Sequence, residues 1–172
     1  MLVDLERNDL GIVSQPGSVF QSRFDVEAYA NVQHLVSQIT GELDAEKDGI
    51  DALQALFPGG SITGCPKTVV CAAIDEIEQK PRSFWTGSMG WIDVHTGDST
   101  WNIMIRTLEA RYSPEGWQGT VVAGGGITIE SNPEAEVAEA IWKAAALRRA
   151  CGWLNPEAKS LPKGELGIYP LY

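Results

Sequence analysis

Two glutamates and a lysine, Glu136, Glu139 and Lys143, stand at i, i+3 and i+7 in the string Ser131-Asn-Pro-Glu-Ala-Glu-Val-Ala-Glu-Ala-Ile-Trp-Lys143. At about 100° per residue a helix brings all three to one narrow face. Two carboxylates one turn apart make half of a magnesium site, because a hard dication takes oxygen ligands and leaves positions open for substrate oxygens. Lys143, a turn further along, is placed to hold an anionic end of that substrate. Just upstream, Gly124-Gly125-Gly126 lets bare backbone N–H groups approach a carboxylate. The plain alternative is a solvated helix face carrying a Glu139–Lys143 pair.

Three other places bear chemistry. Phe57-Pro-Gly-Gly-Ser-Ile-Thr-Gly-Cys-Pro-Lys67 packs glycines, prolines and hydroxyls into a fixed path with exposed amides. An amide-rich turn leading into a helix N-terminus is an anion site, with Ser61, Thr63 and Gly64 the expected contacts; a structural connector is the alternative. Arg106 is expected in an apolar central strand, on one face with Asn102, Met104 and Leu108, where a charge needs a carboxylate from the protein or from a ligand. His34 lies among Val32, Leu35 and Val36, as a core histidine or a catalytic one.

The elements that must position these groups follow from local signals. Met1-Leu-Val-Asp-Leu opens a helix that Gly11 can close, and Ser18-Val-Phe-Gln is strand-like. Residues 25–40 read as a helix, or a helix running into a strand, ended by Gly41. Helices are expected over about 48–56 and 66–78. Three strands, 84–94, 99–112 and 117–124, are joined by His95-Thr-Gly-Asp and Ser113-Pro-Glu-Gly, and such short connections predict an antiparallel meander. His95 is a turn residue. Asn132 and Pro133 are an N-cap and a first helical residue, opening the helix that carries Glu136, Glu139 and Lys143; Val137, Ile141 and Ala144 form its apolar stripe. Residues 1–150 read as one domain and 151–172, rich in Pro and Lys, as a poorly packed extension.

At 172 residues, 44% hydrophobic and 21% charged, the composition is that of a globular domain. No apolar run is long enough to span a membrane and no signal peptide is visible at Met1, so membrane partners are not expected. Cys65, Cys71 and Cys151, an odd set without a CxxC, predict reduced thiols and a cytoplasmic location. A net charge of −10 argues against nucleic acid and requires that any anionic substrate be met by a local cation cluster or a metal ion.

Six strings, in order, resemble the chorismate-utilising enzymes, a family that includes anthranilate, aminodeoxychorismate, isochorismate and salicylate synthases. They are Val3-Asp-Leu-Glu-Arg-Asn-Asp-Leu-Gly11, Val32-Gln-His-Leu-Val-Ser37, Phe57-Pro-Gly-Gly-Ser-Ile-Thr-Gly-Cys-Pro-Lys67, Ile105-Arg-Thr107, Ala123-Gly-Gly-Gly-Ile127 and Ser131-Asn-Pro-Glu-Ala-Glu-Val-Ala-Glu139. The resemblance implies an α+β fold, an antiparallel sheet core flanked by helices, present here in part. It implies that Glu136 and Glu139 bind magnesium (Mg2+), which bridges to the ring carboxylate of chorismate. Lys143 and the amides around Gly125 would bind a carboxylate, Arg106 would clamp the enolpyruvyl carboxylate, Thr63 and Gly64 would line the pocket, and His34 and Thr63 would serve the reaction beside the ring. The 57–67 loop is nearer in wording to the aminodeoxychorismate branch. That branch aminates chorismate to 4-amino-4-deoxychorismate, a folate precursor, with ammonia from a separate glutamine amidotransferase subunit. An anthranilate synthase or an inactive chorismate-binding fragment are the alternatives. The family's general acid and base belong to an N-terminal half that this chain lacks, so the chain alone is expected to be inactive. Val137, Ala140 and Trp91 depart from the family's usual residues, and Trp91 can donate only its indole N–H to a substrate.

Overall fold

A computed structural model describes residues 2–29 and 33–152. The fold is α+β, and the described chain forms two compact units. The first comprises Met1–Ile74 and Met89–Asn102, the second Asp75–Ser88 and Ile103 onward. The expected tail, from residue 153, lies outside the described residues. None of the described helices is long and apolar enough to cross a membrane.

In the first unit, helix α1 (Leu2–Gly11) ends at its glycine as the sequence predicts. Strands β1 (Phe20–Ala28) and β2 (Gln33–Thr40) then pair antiparallel, from Phe20 opposite Thr40 to Ala28 opposite Gln33, with an irregularity between Gln21 and Arg23. Of the helix, or helix running into a strand, expected over 25–40, only the strand at its C-terminal end is present, as one arm of a hairpin. Val26, Val36, Ile39 and Thr40 are β-branched and favour the pleated conformation. Along β2, half-buried His34 and Val36 alternate with exposed Gln33 and Leu35, the period-2 pattern of a strand.

Helix α2 (Gly49–Leu56) opens on a capping box: the Asp48 carboxylate accepts from the amides of Ile50 (2.7 Å) and Asp51 (3.0 Å), and Asp51 accepts from the Asp48 amide (3.1 Å). A single turn, α3 (Gly60–Thr63), ends at Gly64 with φ 90°, a left-handed value that a side chain would strain. Helix α4 (Lys67–Glu78) follows.

Strand β3 (Ser88–Ile92) pairs with β4 (Ser99–Ile103), and β5 (Thr107–Ser113) pairs antiparallel with β6 (Gly116–Val122) in the second unit. The continuous strand expected over 99–112 is thus two strands, and the meander is a set of two-stranded ladders. The break has a local cause. The amide of Ile105 bonds back to the carbonyl of Ile103 (3.1 Å), and Arg106 takes φ 48°. Arg106 is accordingly an exposed bend residue, not a member of a central apolar strand. Helix α5 (Pro133–Ala150) starts where Asn132 and Pro133 predict, the Asn132 side chain accepting from the amide of Ala135 at 2.9 Å.

Among the described residues the buried hydrophobics are Val13 in the first unit and Trp85, Val121 and Ala144 in the second. With so little buried apolar area, helix caps weigh heavily in stability. Asp48→Ala removes the two bonds that the Asp48 side chain accepts from Ile50 and Asp51, leaving the Asp48 amide bonded to Asp51, and is expected to cost about 1 kcal/mol, read as a lower urea midpoint at unchanged slope.

Candidate functional site

Asn132 and Pro133 fix where α5 starts, and with it the angular position of the residues along its first three turns. Glu136, Glu139 and Lys143 share a face, and that face meets Gly125. A methyl group built on Gly125 would lie 3.2 Å from Glu136 Oε2, 3.8 Å from Glu139 Oε1 and 3.8 Å from Lys143 Nζ. The two carboxylates and the ammonium therefore crowd one point beside bare backbone. Lys143 Nζ is 2.5 Å from Glu139 Oε1 and also donates to the carbonyl of Gly124 at 3.4 Å. Glu136 and Lys143 are half-buried, whereas Glu139 and Gly125 are exposed. Exposure leaves the acidic end of the face open to solvent, and the partial burial of Lys143 strengthens its attraction to Glu139.

Space at Gly124 and Gly125 is tight. A methyl on Gly124 would meet the Trp85 indole at 3.0 Å, so the backbone lies directly on that ring. Trp85 is in turn fixed by Arg82, whose guanidinium stacks 4.7 Å from the ring centroid and grips Glu78 through two bonds of 2.8 and 2.6 Å. On α5 the buried Ala144 lies one position beyond Lys143. Packing below and glycines above thus set the height of the acidic face.

Two carboxylate side chains provide oxygen donors of the kind magnesium takes, but they are a half-site. Among the described residues no set of three or more acidic, histidine or cysteine side chains is grouped for a metal. The remaining positions would fall to water or to a substrate carboxylate.

In the first unit, Thr63 ends α3 and its hydroxyl lies 3.2 Å from the Gly59 carbonyl and 3.0 Å from that of Gly64. One hydroxyl proton serves those carbonyls, so the oxygen keeps acceptor capacity for a ligand donor. Ser61 is half-buried in the same turn. His34, on β2 opposite Glu27, packs edge-on against Tyr29 with centroids 5.5 Å apart. The Tyr29 hydroxyl donates to Glu27 at 2.6 Å, and this hydrogen bond to a carboxylate raises the phenol above its ordinary pKa.

One charged group escaped the sequence reading. Asp9 is the most deeply enclosed side chain described, fully buried on α1 against the Gly60 amide and Lys67. With Lys67 it lines a cavity of about 880 Å³ that also involves Leu5, Asp51, Ala55 and Phe57. In the sequence Asp9 belongs to the polar run Glu6-Arg-Asn-Asp9, where nothing distinguishes a buried carboxylate from a solvated one.

Known proteins place this architecture. The chain is 44% identical to aminodeoxychorismate synthase component 1 of Bacillus subtilis over 160 residues, 92% of this chain and 33% of that one. It is also 44% identical to anthranilate synthase component 1 of Thermococcus kodakarensis over 153 residues, 88% of this chain and 34% of that one. The crystal structure of anthranilate synthase component I from Streptococcus pneumoniae superposes with a TM-score of 0.71 at 35% identity, over 86% of this chain and 33% of that one. The chain thus spans about a third of the length of the curated relatives it matches. A family model described as chorismate binding enzyme matches residues 1–149, and the chain belongs to that family.

Proposed function

We propose that this chain forms the magnesium- and carboxylate-binding part of an enzyme that aminates chorismate to 4-amino-4-deoxychorismate. The observation that carries the reading is the convergence of Glu136, Glu139 and Lys143 on the bare backbone at Gly125. Glu136 and Glu139 would hold Mg2+, and the bound ion would supply Lewis acidity, neutralising charge as the C4 hydroxyl of chorismate departs. Lys143 and the amide of Gly125 bind a substrate carboxylate, which orients the ring for attack. Arg106 takes the enolpyruvyl carboxylate. Its left-handed backbone supports this role, because such strain in a non-glycine residue persists where a site requires it. In the first unit, Thr63 and Gly64 contact substrate and His34 serves the reaction. Ammonia comes from a glutamine amidotransferase subunit, and the general acid and base come from the part of the relatives' length that this chain does not span.

The anthranilate reading has a relative of equal identity in its favour. Turnover of chorismate and ammonium by the chain joined to the remaining family sequence separates the two: 4-amino-4-deoxychorismate supports the first and anthranilate the second.

Calorimetric titration of the chain tests the site itself. Chorismate binding is expected to depend on magnesium and to weaken about tenfold or more in Glu136→Gln or Glu139→Gln, the scale of a lost charge-assisted contact. Arg106→Ala is expected to weaken binding by a similar factor, about tenfold, through loss of a carboxylate clamp. Binding that is independent of magnesium and equal in all three variants would end the proposal. Gly125→Ala places a methyl 3.2 Å from Glu136 Oε2 and is expected to lower the same affinity several-fold while leaving the far-ultraviolet circular dichroism unchanged.

A further inference from the structure

Asp9 and Lys67 lie outside the acidic face of α5, and nothing in the chemistry above employs them. Asp9 Oδ2 accepts from the amide of Gly60 (3.1 Å) and from Lys67 Nζ (2.8 Å). Lys67 Nζ also donates to the carbonyl of Ala55 at 2.9 Å. One carboxylate oxygen on α1 thereby ties together the end of α2, the start of α3 and the start of α4. These anchors enclose the Phe57–Lys67 turn that carries Thr63 and Gly64.

We propose that Asp9 is a positioning residue: with Lys67 it clamps the Gly59–Gly64 turn in the form that presents Thr63 and Gly64 to substrate. The proposal rests on the reading of those two residues as substrate contacts. The chain of contacts is continuous. The Gly64 amide bonds to the Gly60 carbonyl at 2.7 Å, the Thr63 amide to the Gly59 carbonyl at 3.1 Å, and the Thr63 hydroxyl lies between the Gly59 and Gly64 carbonyls. Gly60 is held by Asp9, so the whole turn hangs from that carboxylate. The approach is close: a methyl on Gly60 would lie 3.0 Å from Asp9 Oδ2 and 3.3 Å from Leu5 Cβ. Asp9 Oδ1 is buried and has no hydrogen-bond partner among the described residues. A buried ion pair with one oxygen unsatisfied is a poor source of stability, because desolvation offsets much of the Coulomb attraction. Its effect is directional: a charged acceptor at a fixed point selects one geometry of the turn.

The test is Asp9→Asn in the full chain, which keeps the shape and removes the charge. Amide exchange at Gly60 and Gly64 is expected to quicken about tenfold, with α5 exchange unchanged, since the opening is local. The Thr63 and Gly64 amide resonances are expected to shift, and chorismate affinity in magnesium to fall about tenfold, the scale of a lost hydrogen bond to a charged group. Unchanged exchange at Gly60 and Gly64 in folded Asp9→Asn overturns the clamp. A loosened turn with undiminished chorismate affinity overturns the positioning role and leaves Asp9 structural. Wild-type protein that does not bind chorismate overturns the substrate reading, and the clamp is then decided by exchange alone. Should Asp9→Asn not fold, the neutral pair Asp9→Asn/Lys67→Gln, which buries no uncompensated charge, gives the same readouts.

Discussion

The close approach of α5 to bare backbone at Gly125 is the constraint on which the acidic face depends. Glu136 Oε2 already lies at the edge of van der Waals contact with the space a β-carbon would need. Two carboxylates and one ammonium can share so small a volume because the backbone there takes up almost none of it. The neighbouring glycine does the same on the other side, resting on Trp85. With either clearance filled, a neighbour must give by a few tenths of an ångström: the Trp85 ring at Gly124, the Glu136 carboxylate at Gly125.

This matters more because so little apolar surface is buried. Among the described residues, large side chains such as Phe20, Phe24, Val26 and Leu35 remain more than half exposed, and the enclosed hydrophobics are few. Local geometry is therefore set by directional interactions: the Asp48 capping box, the Arg82 grip on Glu78 and Trp85, and the ties at either end of the Phe57–Lys67 turn. Each is short in sequence or specific in angle. None relies on a large core to hold it.

The same distinction explains what could be read from the sequence. The start of helix α5 was legible to the residue, because a capping asparagine, a proline at the first position and 3.6-residue spacing are local signals. Helices α1, α2 and α4 were likewise legible, and with them the common face of Glu136, Glu139 and Lys143. The β1–β2 hairpin was not, since Val32, Leu35 and Val36 fit a helical stripe as well as a strand, and only cross-strand pairing decides between them. The bend at Arg106 was hidden inside a strand-like run, 99–112, with no glycine or proline to mark it. Asp9 was invisible for a different reason. Its burial is conferred by Gly60 and Lys67, more than fifty residues downstream, and no periodicity reports a contact of that range.

Lys143 already rests on Glu139, with the two side chains 23% and 51% exposed. The acidic face is thus supplied with its own tethered counter-charge before any ion arrives. A metal ion held there, as proposed above, would exchange for that ammonium. Lys143, already within reach of the Gly124 carbonyl, would then be free to turn its charge toward an anion. Cation and anion occupancy would then reinforce one another through a single flexible side chain.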